Sequence, residues 1–335
     1  MTAEAGLVAV RSYLPSGRLE AAEIAAATGL SEDVVRRKLG IARKVQPGPG
    51  DHPHRMALGA AQLLLEEQQV DPLEIDVIIS ITEEYKEYPV WTTGIALQEE
   101  LGARRAWAFD IAQRCGTAVV ALKLAQSLIR SDDQVRTVLI AGGYRNVDLI
   151  DYHNPRVRFM YNLAAGGGAA LVRRGAGSPI RGIAIRTDGS FSRDVIAPRG
   201  GSLTPLGDWP VPYLEVPDPQ GMKERLEERS MANFLAVVDE ALERSGLARR
   251  DIGYLALLHM KRSAHEGVLR ALGLRDDQSI YLEDYGHIGQ IDQILSTELA
   301  LRSGRLERGK ALVWVSAGIG YAWDAAVIAW DPPHA

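Results

Sequence analysis

Two long stretches of this 335-residue chain repeat one order of elements, and that repetition restricts the fold more than any single motif does. In the first, an amphipathic helix from His54 to Gln69 leads through VDPLEID into the apolar run VIISI; in the second, a helix from Met231 to Ser245 leads through LARRDI into YLALLH. Each is followed by a strand and a turn that opens another helix, WAFDIAQRCGTAVVALKLAQSLIR in one and SIYLEDYGHIGQIDQILSTELALRSG in the other. Each closes on two apolar strands separated by glycines, VLIAGGY with GGGAALVRR, and ALVWVSAGIGY with AWDAAVIAW. Superposing the repeats sets Cys115 opposite His287.

Buried strands alternating with amphipathic helices predict a layered α/β architecture, sheets between helices, with halves related by a pseudo-twofold axis. The halves are placed at residues 1–174 and 175–335, with the boundary near Arg174. A chain of this length suits two units, each able to bury a core.

Hydrophobic residues at 46% and charged residues at 24% describe a folded soluble protein. A formal net charge of −5 argues against a nucleic-acid partner, which needs a basic face. No run reaches the roughly 18 apolar residues of a membrane span, and MTAEAGLVAVRSYLPSG lacks a signal-peptide h-region, so the expectation is a cytoplasmic protein without a membrane partner.

Cys115 is the only cysteine, so it is either a small packed hydrophobe or a thiol kept free for chemistry. It stands where WAFDIA ends and the helix with Val119, Leu122, Leu124 and Leu128 begins. Unpaired N–H groups at a helix start favour an anion there, and the thiolate is the reactive form. His259 ends the strand YLALL, at the carboxyl edge where α/β proteins place their sites, and His287 emerges likewise in Gly286-His287-Ile288-Gly289. A thiol and two imidazoles at matching junctions supply the nucleophile and proton carriers that acyl transfer needs.

Around these residues the chain resembles the ketosynthase III family over nearly its full length. DIAQRCGTAVVAL resembles the family's nucleophile segment, LLHMKR the segment opening with its catalytic histidine, YGHIG the segment whose residue is usually asparagine, and AGIGYAWDAAVIAW its C-terminal strand pair. The resemblance implies a thiolase-like fold, five-layered α-β-α-β-α, and a homodimer. It implies that Cys115 accepts an acyl group, that the backbone N–H groups of Cys115 and Ile319 form the oxyanion hole, and that His259 and His287 polarise a second thioester. The substrates it implies are acyl-CoA or acyl carrier protein thioesters, with no tightly bound cofactor, and the reaction is condensation with a malonyl-type thioester in fatty-acid-related or polyketide biosynthesis.

The family pattern also breaks in places. His287 replaces asparagine, and histidine can act as a base, which keeps acyl transfer to an alcohol or amine open. Glu83 in SITEEYKEYP aligns with the general acid/base of hydroxymethylglutaryl-CoA synthases, which condense without decarboxylation, although Glu83, Glu84, Lys86 and Glu87 also read as a solvated charge run. Tyr88 falls where relatives place an aromatic residue that reaches across the dimer to limit the partner's acyl pocket. In VVRRKLGIARK, which resembles the carrier-binding mouth, Val34 and Lys38 replace a tryptophan and an arginine, while Arg36, Arg37, Lys38, Arg43 and Lys44 offer charge to pantetheine phosphates or an acidic carrier protein. The run from Ala164 to Gly168 matches no phosphate loop, and His52 with His54 lacks a third ligand, so no metal is expected. A non-catalytic partner subunit of a ketosynthase is the reading of another class; such subunits usually lack the cysteine.

Overall fold

The computed structural model describes residues 4–331. Among these, the main sheet is built from β1 (Ala5–Tyr13), β4 (Val77–Ser80), β5 (Trp107–Asp110), β6 (Thr137–Tyr144), β7 (Gly166–Arg174), β8 (Ser178–Thr187), β9 (Ile252–Leu257), β10 (Ala311–Gly318) and β11 (Ala322–Ala329). Their order is β5-β4-β6-β7-β1-β8-β11-β10-β9, and β2 (Gly17–Glu20) with β3 (Arg43–Gln46) forms a separate ribbon.

The pairings repeat. β4 runs parallel to β6, which forms an antiparallel hairpin with β7, which pairs with β1. In the same way β9 runs parallel to β10, which forms a hairpin with β11, which pairs with β8. The two sets meet only where Gly6 and Leu7 touch Pro179 and Ser178. The helices α2 (Pro53–Glu67) and α3 (Thr93–Leu101) cover the first set, and α5 (Pro219–Arg244) with α6 (Arg262–Leu272) covers the second. Between the sets lie α4 (Thr117–Ser131) and α7 (Asp292–Arg302); α4 touches β1, β6 and β7 on one side and β8, β10 and β11 on the other. Together these make five layers, with α1 (Ala21–Thr28) on the flank.

Residues that face two sheets must be buried all round, and α7 meets most of this demand with hydrogen-bonded polar groups, Gln293 Oε1 being left without a partner. Gln293 donates to Val315 O at 3.0 Å, Thr297 donates to Gln293 O at 2.7 Å, and Trp314 Nε1 donates to Thr297 at 2.9 Å. Close approach is equally demanding at Gly167, where a Cβ would lie 2.1 Å from the Met56 carbonyl oxygen; its absence lets α2 press on the sheet.

Two elements differ from the sequence reading. The helix expected from Met231 begins at Pro219, capped by Asp218, whose side chain accepts from Gly221 N at 3.0 Å. Its first three turns, PQGMKERLEERS, carry few apolar residues, so periodicity there is weak. The segment SIYL, expected as a strand, forms none and lies outside the sheet. Ser279 Oγ donates to Leu255 O at 2.7 Å and Ile280 N–H donates to the Tyr254 hydroxyl at 3.0 Å, so side chains take the bonds a ladder would have used. Among the described residues, no helix is long and apolar enough to cross a membrane.

Candidate active site

The turn from β5 into α4 presents the buried Cys115 to the cavity by an unusual backbone. Arg114, just before it, holds φ at 53°, a left-handed value that a non-glycine residue adopts only when its surroundings compel it. Thr117 Oγ1 supplies that constraint: it accepts from Gln113 N at 2.8 Å and donates to Arg114 O at 2.6 Å. The Arg114 guanidinium is drawn aside by Glu84 and lies 3.9 Å from Glu83. Cys115 is thereby set just ahead of Gly116, the N-cap of α4, and Ser316 on β10 donates to its carbonyl oxygen at 2.5 Å. The turn after β10 brings Ile319 and Gly320 to the wall of the same cavity that Cys115 lines.

His287 is delivered by a two-bond clamp: its N–H donates to Asn162 O at 2.8 Å and its carbonyl accepts from Ala164 N at 2.9 Å. Gly289 is required behind it, because φ is +57° and a Cβ would stand 2.5 Å from the Tyr144 ring. The imidazole Nε2 lies 3.1 Å from Cys115 Sγ, and Nδ1 lies 2.5 Å from Asp292 Oδ2. Asp292 is fully buried and also accepts from His259 N at 2.7 Å and Ile288 N at 2.8 Å. Burial opposes a charged imidazole, but the Asp292 carboxylate and the Cys115 sulfur outweigh it, and the His287 pKa is held well above the usual histidine range. The geometry fixes Nδ1–H toward Asp292 and leaves Nε2 to exchange a proton with the thiol.

Asp292 escaped the sequence reading. An acidic residue in the first turn of a helix reads as a helix start, and nothing local marks it as the partner of His287 five positions earlier.

His259 is buried directly after β9 with both ring nitrogens engaged, Nδ1 with the Asn162 side-chain amide at 2.9 Å and Nε2 with Gly40 O at 3.0 Å. The amide N–H donates to Nδ1, so Nε2 carries the hydrogen and donates to Gly40. Burial lowers its pKa to about 4, which keeps the ring neutral, and Tyr281 stacks on it at 5.2 Å. Lys44, offered above as a carrier contact, is fully buried instead. Its Nζ donates to Tyr161 O at 2.8 Å and Leu163 O at 2.6 Å, pinning the strip that carries Asn162, and burial lowers its pKa to about 7.

Cys115, His259, His287 and Glu83 line one cavity of about 1200 Å³. Glu83 is 4% exposed; Oε2 accepts from Asn146 Nδ2 at 2.9 Å and Oε1 has no partner, and burial raises its pKa. Leu39, but none of Arg36, Arg37, Lys38 or Arg43, reaches the wall. Arg36 pairs with Glu32, Arg37 with Asp33 and Arg43 with Asp284 on the surface. Tyr88 is 64% exposed, edge-on to Trp91 at 5.4 Å and away from the cavity. His54 is buried against Glu100 at 2.8 Å and Trp91.

Comparison with known proteins places this arrangement among relatives. Residues 109–189 match the family described as 3-oxoacyl-[acyl-carrier-protein] synthase III and residues 242–330 match that family's C-terminal region, together just over half the chain. The beta-ketoacyl-[acyl-carrier-protein] synthase III of Caldanaerobacter subterraneus subsp. tengcongensis is 27% identical over 336 residues, covering 98% of each chain. The same fold is seen in 3-oxoacyl-[acyl-carrier-protein] synthase III from Aquifex aeolicus VF5, with a TM-score of 0.83 and 21% identity over 97% of this chain and 100% of that one. It is seen again in the priming beta-ketosynthase of the R1128 polyketide pathway, with a TM-score of 0.84 and 23% identity over 98% and 97% of the two chains.

Proposed function

Because the chain belongs to the 3-oxoacyl-[acyl-carrier-protein] synthase III family, with its thiolase-like fold, we propose that Cys115 takes an acyl group from an acyl thioester and that the acyl-enzyme condenses with a malonyl-type thioester. The enzyme is an acyl-transferring ketosynthase of fatty-acid or polyketide biosynthesis. The observation that carries this reading is the 3.1 Å contact between Cys115 Sγ and His287 Nε2 on the wall of the large cavity.

In the loading step His287 takes the thiol proton, the thiolate attacks the acyl carbonyl, and the carrier thiol leaves with a proton. The backbone N–H groups of Cys115 and Ile319 receive the developing oxyanion. In the second step carbon dioxide leaves the malonyl group, the electron pair of the broken C–C bond attacks the acyl-Cys carbonyl, and the tetrahedral intermediate collapses with cleavage of the C–S bond, the released Cys115 sulfur taking up a proton. His259 supports that step by exchanging Gly40 O for the thioester oxygen as the acceptor of its Nε2–H, and His287, when its Nε2 carries a proton, donates beside it. Glu83, with one unpartnered oxygen in the same cavity, is placed to trade protons with the acceptor. The donor is a CoA or carrier-protein thioester, and the enzyme works in the cytoplasm without a bound cofactor or metal.

The same reading makes the enzyme a homodimer. β5 is the outermost strand of its half, with Trp107 50% exposed and stacked on Phe109 at 5.2 Å. Ile95 on α3, together with Tyr88 and Val90 on the segment leading into it, is also exposed. A second copy pairing along β5 covers this apolar edge and brings the partner's Tyr88 toward the site.

Intact-mass measurement after mixing with acetyl-CoA, hexanoyl-CoA and the matching carrier-protein thioesters tests the acyl-enzyme. The expected result is one acyl adduct on wild type and none on Cys115→Ala; equal loading of both proteins removes the nucleophile assignment.

A further inference from the structure

The relay that takes the thiol proton during loading has no further use in the condensation step, whose carbanion arises from the broken C–C bond and needs only donors on the thioester oxygen. The site buries a complete carboxylate–imidazole relay. Asp292, with no exposed surface, accepts from His287 Nδ1, His259 N and Ile288 N, and so fixes the one tautomer in which Nε2 is free to accept a proton. Burying a carboxylate is costly unless its partners answer it, and here all three answer in a way that serves the basicity of His287. His259, the other imidazole, is meanwhile bonded on both nitrogens.

The cavity points the same way. Its volume of about 1200 Å³ exceeds the ~300–1,000 Å³ of ordinary small-molecule sites, and Phe159, Met160, Val195, Leu214, Met222 and Phe234 give it an apolar wall. A second bulky molecule therefore has room beside the acyl group.

From these two features, and resting on the acyl-enzyme of the proposed function, we propose that Cys115 also discharges its acyl group onto a hydroxyl of a bulky, largely apolar acceptor, forming an ester. His287 Nε2 takes the hydroxyl proton as the oxygen attacks the thioester carbonyl carbon. The tetrahedral intermediate collapses with cleavage of the C–S bond, and the departing Cys115 sulfur regains the proton from His287. A C–O bond replaces a C–S bond, and nothing is oxidised or reduced. Asp292 acts through His287 and is a positioning residue.

The test uses full-length enzyme loaded from hexanoyl-CoA and freed of excess thioester. Loss of the acyl mass is followed with buffer alone, with ethanol, benzyl alcohol or 2-(2-naphthyl)ethanol, and with malonyl-CoA. The bulky alcohols are expected to speed discharge at least tenfold over buffer, with the hexanoyl ester as product and no carbon dioxide released. His287→Asn is expected to lower the ratio of alcohol-driven to malonyl-driven discharge by about 10²-fold or more, since asparagine donates a hydrogen bond but removes no proton. Asp292→Asn is expected to lower the same ratio and to change its pH profile, which a merely structural role would leave alone. Discharge that no alcohol accelerates, or a ratio unmoved by His287→Asn, overturns the proposal. The variants, which load slowly, are compared on their acylated fraction alone; failure of the wild type to load at all instead overturns the acyl-enzyme itself.

Discussion

Replacing Asp292 by asparagine isolates what the buried carboxylate does for acylation of Cys115. The side chain keeps its shape, and one amide oxygen remains to accept from the backbone of His259 or Ile288, so the fold is expected to hold. What disappears is the charged acceptor 2.5 Å from His287 Nδ1. A hydrogen bond to a charged group contributes about 1.5–3 kcal/mol, which at about 1.36 kcal/mol per decade corresponds to a loss of about 10- to 150-fold in the acylation rate. The pH dependence fixes the sign. In the wild type Asp292 and the Cys115 sulfur hold the His287 pKa well above the usual histidine range, which makes Nε2 a strong acceptor for the thiol proton. Without the carboxylate the imidazolium is less favoured, His287 is a weaker acceptor for the thiol proton, and only rising hydroxide makes up for the lost base. The deficit is therefore greatest at neutral pH and shrinks under alkaline conditions. Quenched-flow intact-mass measurement of acyl-enzyme formation from pH 6 to 9.5 reads this directly. An Asp292→Asn enzyme that acylates within twofold of wild type, with the same profile, would refute the relay.

Other perturbations test neighbouring arguments. Asp324 on β11 is fully buried with both carboxylate oxygens unpartnered, beside the Gly116 that precedes α4, and burial raises its pKa to about 8. The fold favours its protonated form, so this residue's contribution to stability is present below about pH 4 and lost as pH rises toward 8. Asp324→Asn is expected to melt higher than wild type at pH 8 by about 1–2 kcal/mol, roughly 2–4 °C, with a smaller gap at pH 5 in calorimetry; a gap independent of pH would contradict the burial argument. Trp107→Asp puts a charge on the exposed edge of β5, and sedimentation velocity should show a dimer become a monomer. A wild type that sediments as a monomer at micromolar concentration would dispose of the dimer.

The sequence by itself determined the elements whose cause is local. Apolar periodicity marked α2, α4 and the strands β4, β6, β7, β9, β10 and β11, glycines marked the paired C-terminal strands of each half, and Cys115 and His259 stood at strand-to-helix junctions because those junctions are written in neighbouring residues, whereas His287 follows a segment outside the sheet. It also carried the repeated order of these elements, since each repeat is one run of chain; which strands pair, with β1 and β8 closing each set, came from the fold. Tertiary structure alone decided how the junctions work together. Asp292 became the partner of His287 only because α7 is enclosed between two sheets, where a carboxylate must find every donor within reach. Gly40 O and Asn162, distant from His259 in the chain, chose its tautomer, and Lys44 passed from a supposed surface contact to a buried clamp on the strip bearing Asn162. Propensity and spacing describe a residue and its neighbours. Which polar groups lose water together, and must therefore satisfy one another, depends on chain segments that meet only in the folded molecule.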